Sequence, residues 1–194
     1  MTATLTDLEA LPRFGAVQIR EATVEAIDAD EGTVLLRAAP YGVEAELEAE
    51  LWESFAPGTF AAAANAAHRV KFWHRHANAG GVLIGHAKTV EDRADGVWVR
   101  AKFSNTAAAL EARELATDGT LDQCSIEFRA PQDGYRVTRR RDGLHVRHYR
   151  GQLLGVALVP HGAYGDAAFV ASVRDLEGDH ARELAIAHLR ALTS

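Results

Sequence analysis

His76, in Val70-Lys71-Phe72-Trp73-His74-Arg75-His76, and Ser125, in Leu121-Asp122-Gln123-Cys124-Ser125-Ile126-Glu127-Phe128, stand 49 positions apart, each among apolar residues. A serine hydroxyl is a poor nucleophile until a base takes its proton, and an imidazole can do so near neutral pH. A small β-rich core that brings the two together would make serine hydrolysis the first chemistry to test. Such a core must hold the histidine at the end of one strand and the serine on another.

The rest of the chain allows that core. Its 194 residues suffice for one domain with a substantial interior. Hydrophobic content of 47% and charged content of 25% belong to a globular chain rather than a disordered one. A formal charge of −6 argues against a direct nucleic-acid role. The lone Cys124 cannot form an internal disulfide and suits a reducing compartment. No apolar run approaches the roughly 18 residues a membrane span needs, and the start, Met1 to Glu9, lacks the basic and apolar regions of a signal peptide. The expectation is a cytoplasmic protein with a flexible segment over 1–14, a folded domain over 15–174 and a helical tail over 175–194.

Periodicity places the elements. Ala16 to Ile19, Thr23 to Ile27 and Thr33 to Ala38 have strand character, with Asp28 to Gly32 as the turn before the last. Glu44 to Trp52 reads as either a strand or an exposed loop. The alanine run behind Pro57 predicts a helix from about Gly58 to Ala67, followed by a Val70 to Trp73 strand with His76 at or beyond its end. Asn78-Ala79-Gly80-Gly81 leads by a turn into the next strand. Lys88 to Glu91 and Val97 to Phe103 read as a hairpin turning at Asp95-Gly96. A helix from about Thr106 to Thr117 is capped by Asn105 or Thr106, stopped by Asp118-Gly119, and has Leu110, Glu114 and Leu115 near helical spacing. On a strand from Gln123 to Arg129, Ser125 and Glu127 share one face, while Cys124, Ile126 and Phe128 share the other. Arginine-rich Asp133 to Asp142 reads as an exposed hairpin or loop, Leu144 to Tyr149 and Gln152 to Val159 as strands, and Ala181 to Leu192 as a terminal helix.

Several stretches, in order, carry a resemblance. They are Phe55-Ala56-Pro57-Gly58-Thr59-Phe60, the strand ending at His76, Ile84-Gly85, Asp95-Gly96-Val97-Trp98-Val99, the helix before Asp118-Gly119, Cys124 to Phe128, and Leu153-Leu154-Gly155-Val156-Ala157-Leu158-Val159-Pro160. Together, over roughly Val34 to Val170, the chain resembles the bacteriophage prohead proteases, the capsid-maturation serine proteases of tailed phages. The resemblance implies a mainly β fold with flanking helices, built on a closed or partly closed β-barrel of the herpesvirus assembly protease type. It implies an endopeptidase without a cofactor that cleaves the scaffold, or the amino-terminal scaffold-like region of the major capsid precursor, inside the assembling prohead in the host cytoplasm. The precursor and scaffold are the implied partners, self-association is compatible with the reading, and no membrane is involved. His76 falls on the family's catalytic base and Ser125 on its nucleophile.

The third catalytic position departs from the pattern. Where many relatives have Glu-Val-Ser this chain has Gly155-Val156-Ala157, and glycine cannot orient an imidazole. His148 is the first substitute, because the related herpesvirus proteases use a second histidine on a later strand. Glu127, on the face of Ser125, and His161, after Pro160, are the alternatives. Arg147, Arg150 or backbone amides near the loop after Arg150 are candidate donors to the oxyanion. A catalytically weak or inactive assembly protein that binds scaffold through the same fold is the competing function. Two further readings are set aside: a metal site of His74, His76 and His86, which rests on imidazoles two apart sharing a strand face, and thiol chemistry at Cys124, whose side chain points away from Ser125 into the core.

Overall fold

The computed structural model describes residues 18–24 and 32–160. The expected amino-terminal segment, carboxy-terminal tail, Ala181–Leu192 helix and His161 lie outside them. The architecture is mainly β. In chain order the elements are β1 (Gln18–Val24), β2 (Thr33–Pro40), β3 (Ala45–Glu48), β4 (Leu51–Phe55), a 3-10 segment (Ala61–Arg69), β5 (Lys71–His74) and a 3-10 turn (Ala77–Ala79). There follow β6 (Val82–Arg93), β7 (Gly96–Phe103), α1 (Ala107–Thr117), β8 (Gln123–Arg129), β9 (Tyr135–Arg140), β10 (Gly143–His148) and β11 (Gln152–Val159).

Seven strands form one strongly curled sheet paired in the order β1-β2-β7-β6-β5-β11-β8, and β1 also pairs with β8. The other four form a second sheet, β3-β4-β10-β9. Two parallel pairings matter for the site: β11 runs parallel to β5, and β10 parallel to β4. Because β11 lies between β5 and β8, the strand leading to His76 and the strand carrying Ser125 are separated by one strand only.

The core fills the curl with inward side chains from alternate positions, among them Val34, Leu36, Phe72, Ile84, Val99, Ile126, Val156 and Leu158. Cys124 is fully buried there with its Sγ toward the Arg37 carbonyl, on the face expected for it. Phe55, Phe60 and Phe128 join this core to the second sheet. Their rings meet in tilted or edge contacts with centroids 5.2–5.6 Å apart.

Several local expectations are corrected. The alanine-rich run forms 3-10 turns over Ala61–Arg69 rather than an α-helix from Gly58, with a break at Ala66 (φ −145°, ψ 41°). Among these residues only Ala67 is buried, so there is little packing to stabilise a regular helix. Helix α1 forms as expected, with the Thr106 side chain accepting from Ala109 N at its start. However, its buried face is Ala109, Ala112 and Ala116, while Leu110 is exposed; small residues let the helix lie close to the sheet. The β6–β7 hairpin reverses at Ala94-Asp95, one residue early. Gly96 already pairs in β7, where a Cβ would lie 2.5 Å from the Ala39 carbonyl oxygen, so close strand approach rather than the turn calls for glycine here. The ambiguous Glu44 to Trp52 stretch resolves into β3 and β4, turning where Glu50 takes φ 65°. The arginine-rich run is the exposed hairpin strand β9, paired with β10.

Candidate active site

Strand β5 ends at His74 because Arg75 adopts φ 62°, a left-handed conformation that turns the chain out of the sheet. The Arg75 amide still donates to the Leu158 carbonyl of β11 at 2.9 Å, so the departure point is tied to the sheet. His76 follows and begins the Ala77–Ala79 turn, its carbonyl accepting from the amides of Ala79 (3.0 Å) and Gly81 (2.8 Å). A Cβ at Gly81 would meet the carbonyl oxygens of Arg75 and His76 at 2.5 Å, so only glycine fits this close return. The bend also removes the premise of the three-histidine metal site, since His74 and His76 are not two positions of one continuous strand.

Ser125 lies on β8 opposite Ala157 of β11, which is in turn opposite Trp73 of β5. Glu127 lies opposite Gly155, itself opposite Lys71. Residues in register share a face, so Ser125, Glu127, Ala157, Gly155 and Trp73 line one surface of the sheet, with Cys124, Ile126 and Phe128 behind it.

Glu127 connects this surface to His76. Its Oε1 accepts a 2.9 Å hydrogen bond from the Ala77 amide and lies 3.7 Å from His76 Nδ1. The latter distance is too long for a hydrogen bond, and the carboxylate acts on the ring through its charge. Burial pushes the His76 imidazole below its ordinary value of 6.5, against the opposing pull of Glu127. The ring is therefore neutral at neutral pH, the state a proton acceptor requires. Both His76 ring nitrogens, the Ser125 hydroxyl and the Trp73 indole N–H are buried without a hydrogen-bond partner. Ser125 is 0% exposed and Glu127 6%. Unsatisfied buried polar atoms are uncommon in folded proteins, and these share that state with atoms elsewhere in the molecule, His148 Nδ1 among them.

The Trp73 indole explains Gly155. A Cβ at position 155 would sit 3.0 Å from Trp73 Nε1 and 3.2 Å from the Lys71 carbonyl oxygen. The space that a side chain would take at Gly155 is filled by tryptophan from the neighbouring strand.

His148 has other surroundings. Its Nε2 lies 2.7 Å from Glu53 Oε1, and both residues are buried. Its ring stacks on Phe55 at 5.4 Å and meets the edge of Phe128 at 5.1 Å. Phe128 points to the face of β8 opposite Ser125 and Glu127, so His148 belongs to the aromatic junction between the sheets. Arg147 is exposed and its guanidinium lies over the Tyr149 ring, while the Arg150 guanidinium pairs with exposed Asp133. The amides of Tyr149 and Arg150 already donate to the Gly134 carbonyl, and that of Gly151 to Thr59, which removes them from the candidate oxyanion donors. Among the described residues no His, Cys, Asp and Glu side chains form a group able to hold a metal.

Glu127 is among the alternatives the sequence offers for the third position, since alternation puts it on the face of Ser125; what the sequence does not reveal is its bond to the Ala77 amide and the lodging of Trp73 against Gly155.

The family model of the caudovirus prohead serine proteases matches residues 20–181 of this chain. No curated protein and no solved structure matches it. The match spans both candidate catalytic residues and every strand of the second sheet, and the chain belongs to the caudovirus prohead serine protease family.

Proposed function

We propose that this chain is a serine endopeptidase in which Ser125 is the nucleophile, His76 the general base and Glu127 the carboxylate that positions and charges the base. The observation that carries the reading is Glu127, which shares the outward face of β8 with Ser125 and lies against both His76 and the backbone behind it. His76 takes the Ser125 proton as the oxygen attacks a peptide carbonyl, and returns it to the departing amine. Water, activated in turn by His76, hydrolyses the acyl-enzyme. The imidazolium formed on the way is stabilised by the Glu127 charge. For the oxyanion, the candidate donors are the guanidiniums of Arg147 and Arg150, each of which would have to leave its present partner, the Tyr149 ring or Asp133, to reach Ser125.

A prohead protease works in capsid maturation within the assembling prohead and meets capsid precursor proteins there. We propose that the substrate is the scaffold, or the amino-terminal scaffold-like region of the major capsid precursor, and that assembly takes place in the host cytoplasm. No helix among the described residues is long and apolar enough to cross a membrane. We further propose that the curled sheet is a complete barrel of the herpesvirus assembly protease type, with β1 joining β2 to β8.

The test is co-expression with the neighbouring capsid precursor. Wild type is expected to trim the precursor near its amino-terminus, and Ser125→Ala and His76→Ala to abolish the cut. Undiminished cleavage by Ser125→Ala would remove the proposed nucleophile. A precursor left whole by wild type but bound and assembled normally would favour the non-proteolytic assembly role instead.

A further inference from the structure

Beyond Glu127 the outward face of β8 continues to Arg129, and there a cavity of about 480 Å³ opens. It sits at the rim of the curl, where β8 ends: the alanine-rich 3-10 segment (Ala62, Ala63, Ala66) walls it, and Val70 and Leu153, on the inward face with Phe128, form its apolar floor. Arg69, Arg129 and Arg150 also line it. Arg150 is paired with Asp133, whereas Arg69 and Arg129 are exposed and have no ion pair among the described residues. Two uncompensated guanidiniums beside an apolar wall, in a chain whose formal charge is −6, are a local concentration of the minority charge. They suit a carboxylate on a short aliphatic stem, with the stem against the alanines and the oxygens on the arginine forks.

Distance along the strand says which part of a substrate would arrive there. From Ser125 to Arg129 is four residues of β-strand, roughly 13 Å at the rise of extended chain. A peptide running along β8 with its scissile carbonyl at Ser125 would bring a side chain about three or four residues away to this rim, beside Arg129. We propose that this cavity is a substrate subsite that selects an aspartate or glutamate side chain of the capsid precursor, three or four residues from the cut, through Arg69 and Arg129. The proposal rests on the serine-protease reading for its direction along the strand. It adds the class of side chain recognised and the residues that recognise it.

Binding and cleavage separate the two readings. The binding probe is a fluorescein-labelled decapeptide from around the site at which the precursor is cut, or, where no cut is found, from each acidic stretch of its amino-terminal region. Each is compared with a version carrying Gln for every Asp and Glu, on Ser125→Ala protein. The acidic peptide is expected to bind about tenfold more tightly than its Gln version, the worth of one charge-assisted contact. That difference should vanish in the Ser125→Ala, Arg69→Gln, Arg129→Gln protein; both arginines are exposed, so this protein should fold. Equal binding of the two peptides, no binding of either, or a preference that survives loss of both arginines would overturn the subsite. Displacement of the acidic peptide by equimolar inorganic phosphate would make the cavity a general anion site and also overturn it. If acidic peptides bind as expected while wild type cuts nothing, it is the proteolytic reading that fails.

Discussion

The indole of Trp73 lies against Gly155, with its Nε1 3.0 Å from the point a Cβ there would occupy. Gly155 is therefore matched to tryptophan on the adjacent strand, which leaves little room for a side chain at this position. Placing a glutamate there should therefore lower activity rather than raise it. Gly155→Ala is expected to cost about 1–3 kcal/mol by overpacking, and Gly155→Glu more, with no gain in kcat. Chemical denaturation and precursor-cleavage rates check this; a rise in kcat for Gly155→Glu would show that the carboxylate position is still usable.

Glu127 makes two contacts that substitution can separate. Gln at 127 keeps an oxygen for the Ala77 amide but removes the charge beside His76; Ala removes both. Glu127→Gln should lower kcat about tenfold or more through loss of imidazolium stabilisation, and Glu127→Ala further, as the His76 loop loses its anchor. Equal activity in wild type and Glu127→Gln would exclude the carboxylate from the mechanism.

The pH profile follows from the same pair. Burial holds the His76 pKa below 6.5, and Glu127 partly offsets that. The acid limb of kcat/KM should thus fall below 6.5, and in Glu127→Gln it should move lower still, because the carboxylate charge that raises the pKa is gone. Stability follows the same direction. A histidine with a lowered folded pKa lets the unfolded chain bind more protons, so His76 costs nothing above the unfolded value and lowers stability as pH falls below it. NMR titration of the His76 ring against the rate profile checks the sign.

Buried His148 and Glu53 pair through a 2.7 Å contact, and we expect the pair to be structural, because removing Glu53 takes that partner from an imidazole packed among aromatic rings. Glu53→Ala is expected to cost about 3 kcal/mol. His148→Gln should lower the melting temperature but leave kcat per folded molecule near wild type. A large loss of kcat in folded His148→Gln protein would return His148 to the catalytic set.

Cys124→Ala removes a fully buried side chain on the face behind Ser125. A loss of about 1–2 kcal/mol in stability with turnover preserved is expected from the small cavity left behind. Turnover abolished by this change in a folded protein would point to thiol chemistry.

Much of the local structure was legible in the residues themselves. Alternation in Gln123 to Arg129 set Ser125 and Glu127 against Cys124, Ile126 and Phe128, Thr106 announced the start of α1, and His76 was placed beyond the end of its strand. Such features depend on a two-residue period, a cap or a turn, all decided within a few residues. Tertiary structure alone decided which distant groups these residues meet. Insertion of β11 between β5 and β8 lodged Trp73 against Gly155, the left-handed turn at Arg75 brought the His76 loop to Glu127, and the parallel register of β10 with β4 carried His148 to Glu53. Strand order and register are set by packing the whole core at once, and no short stretch of sequence encodes them.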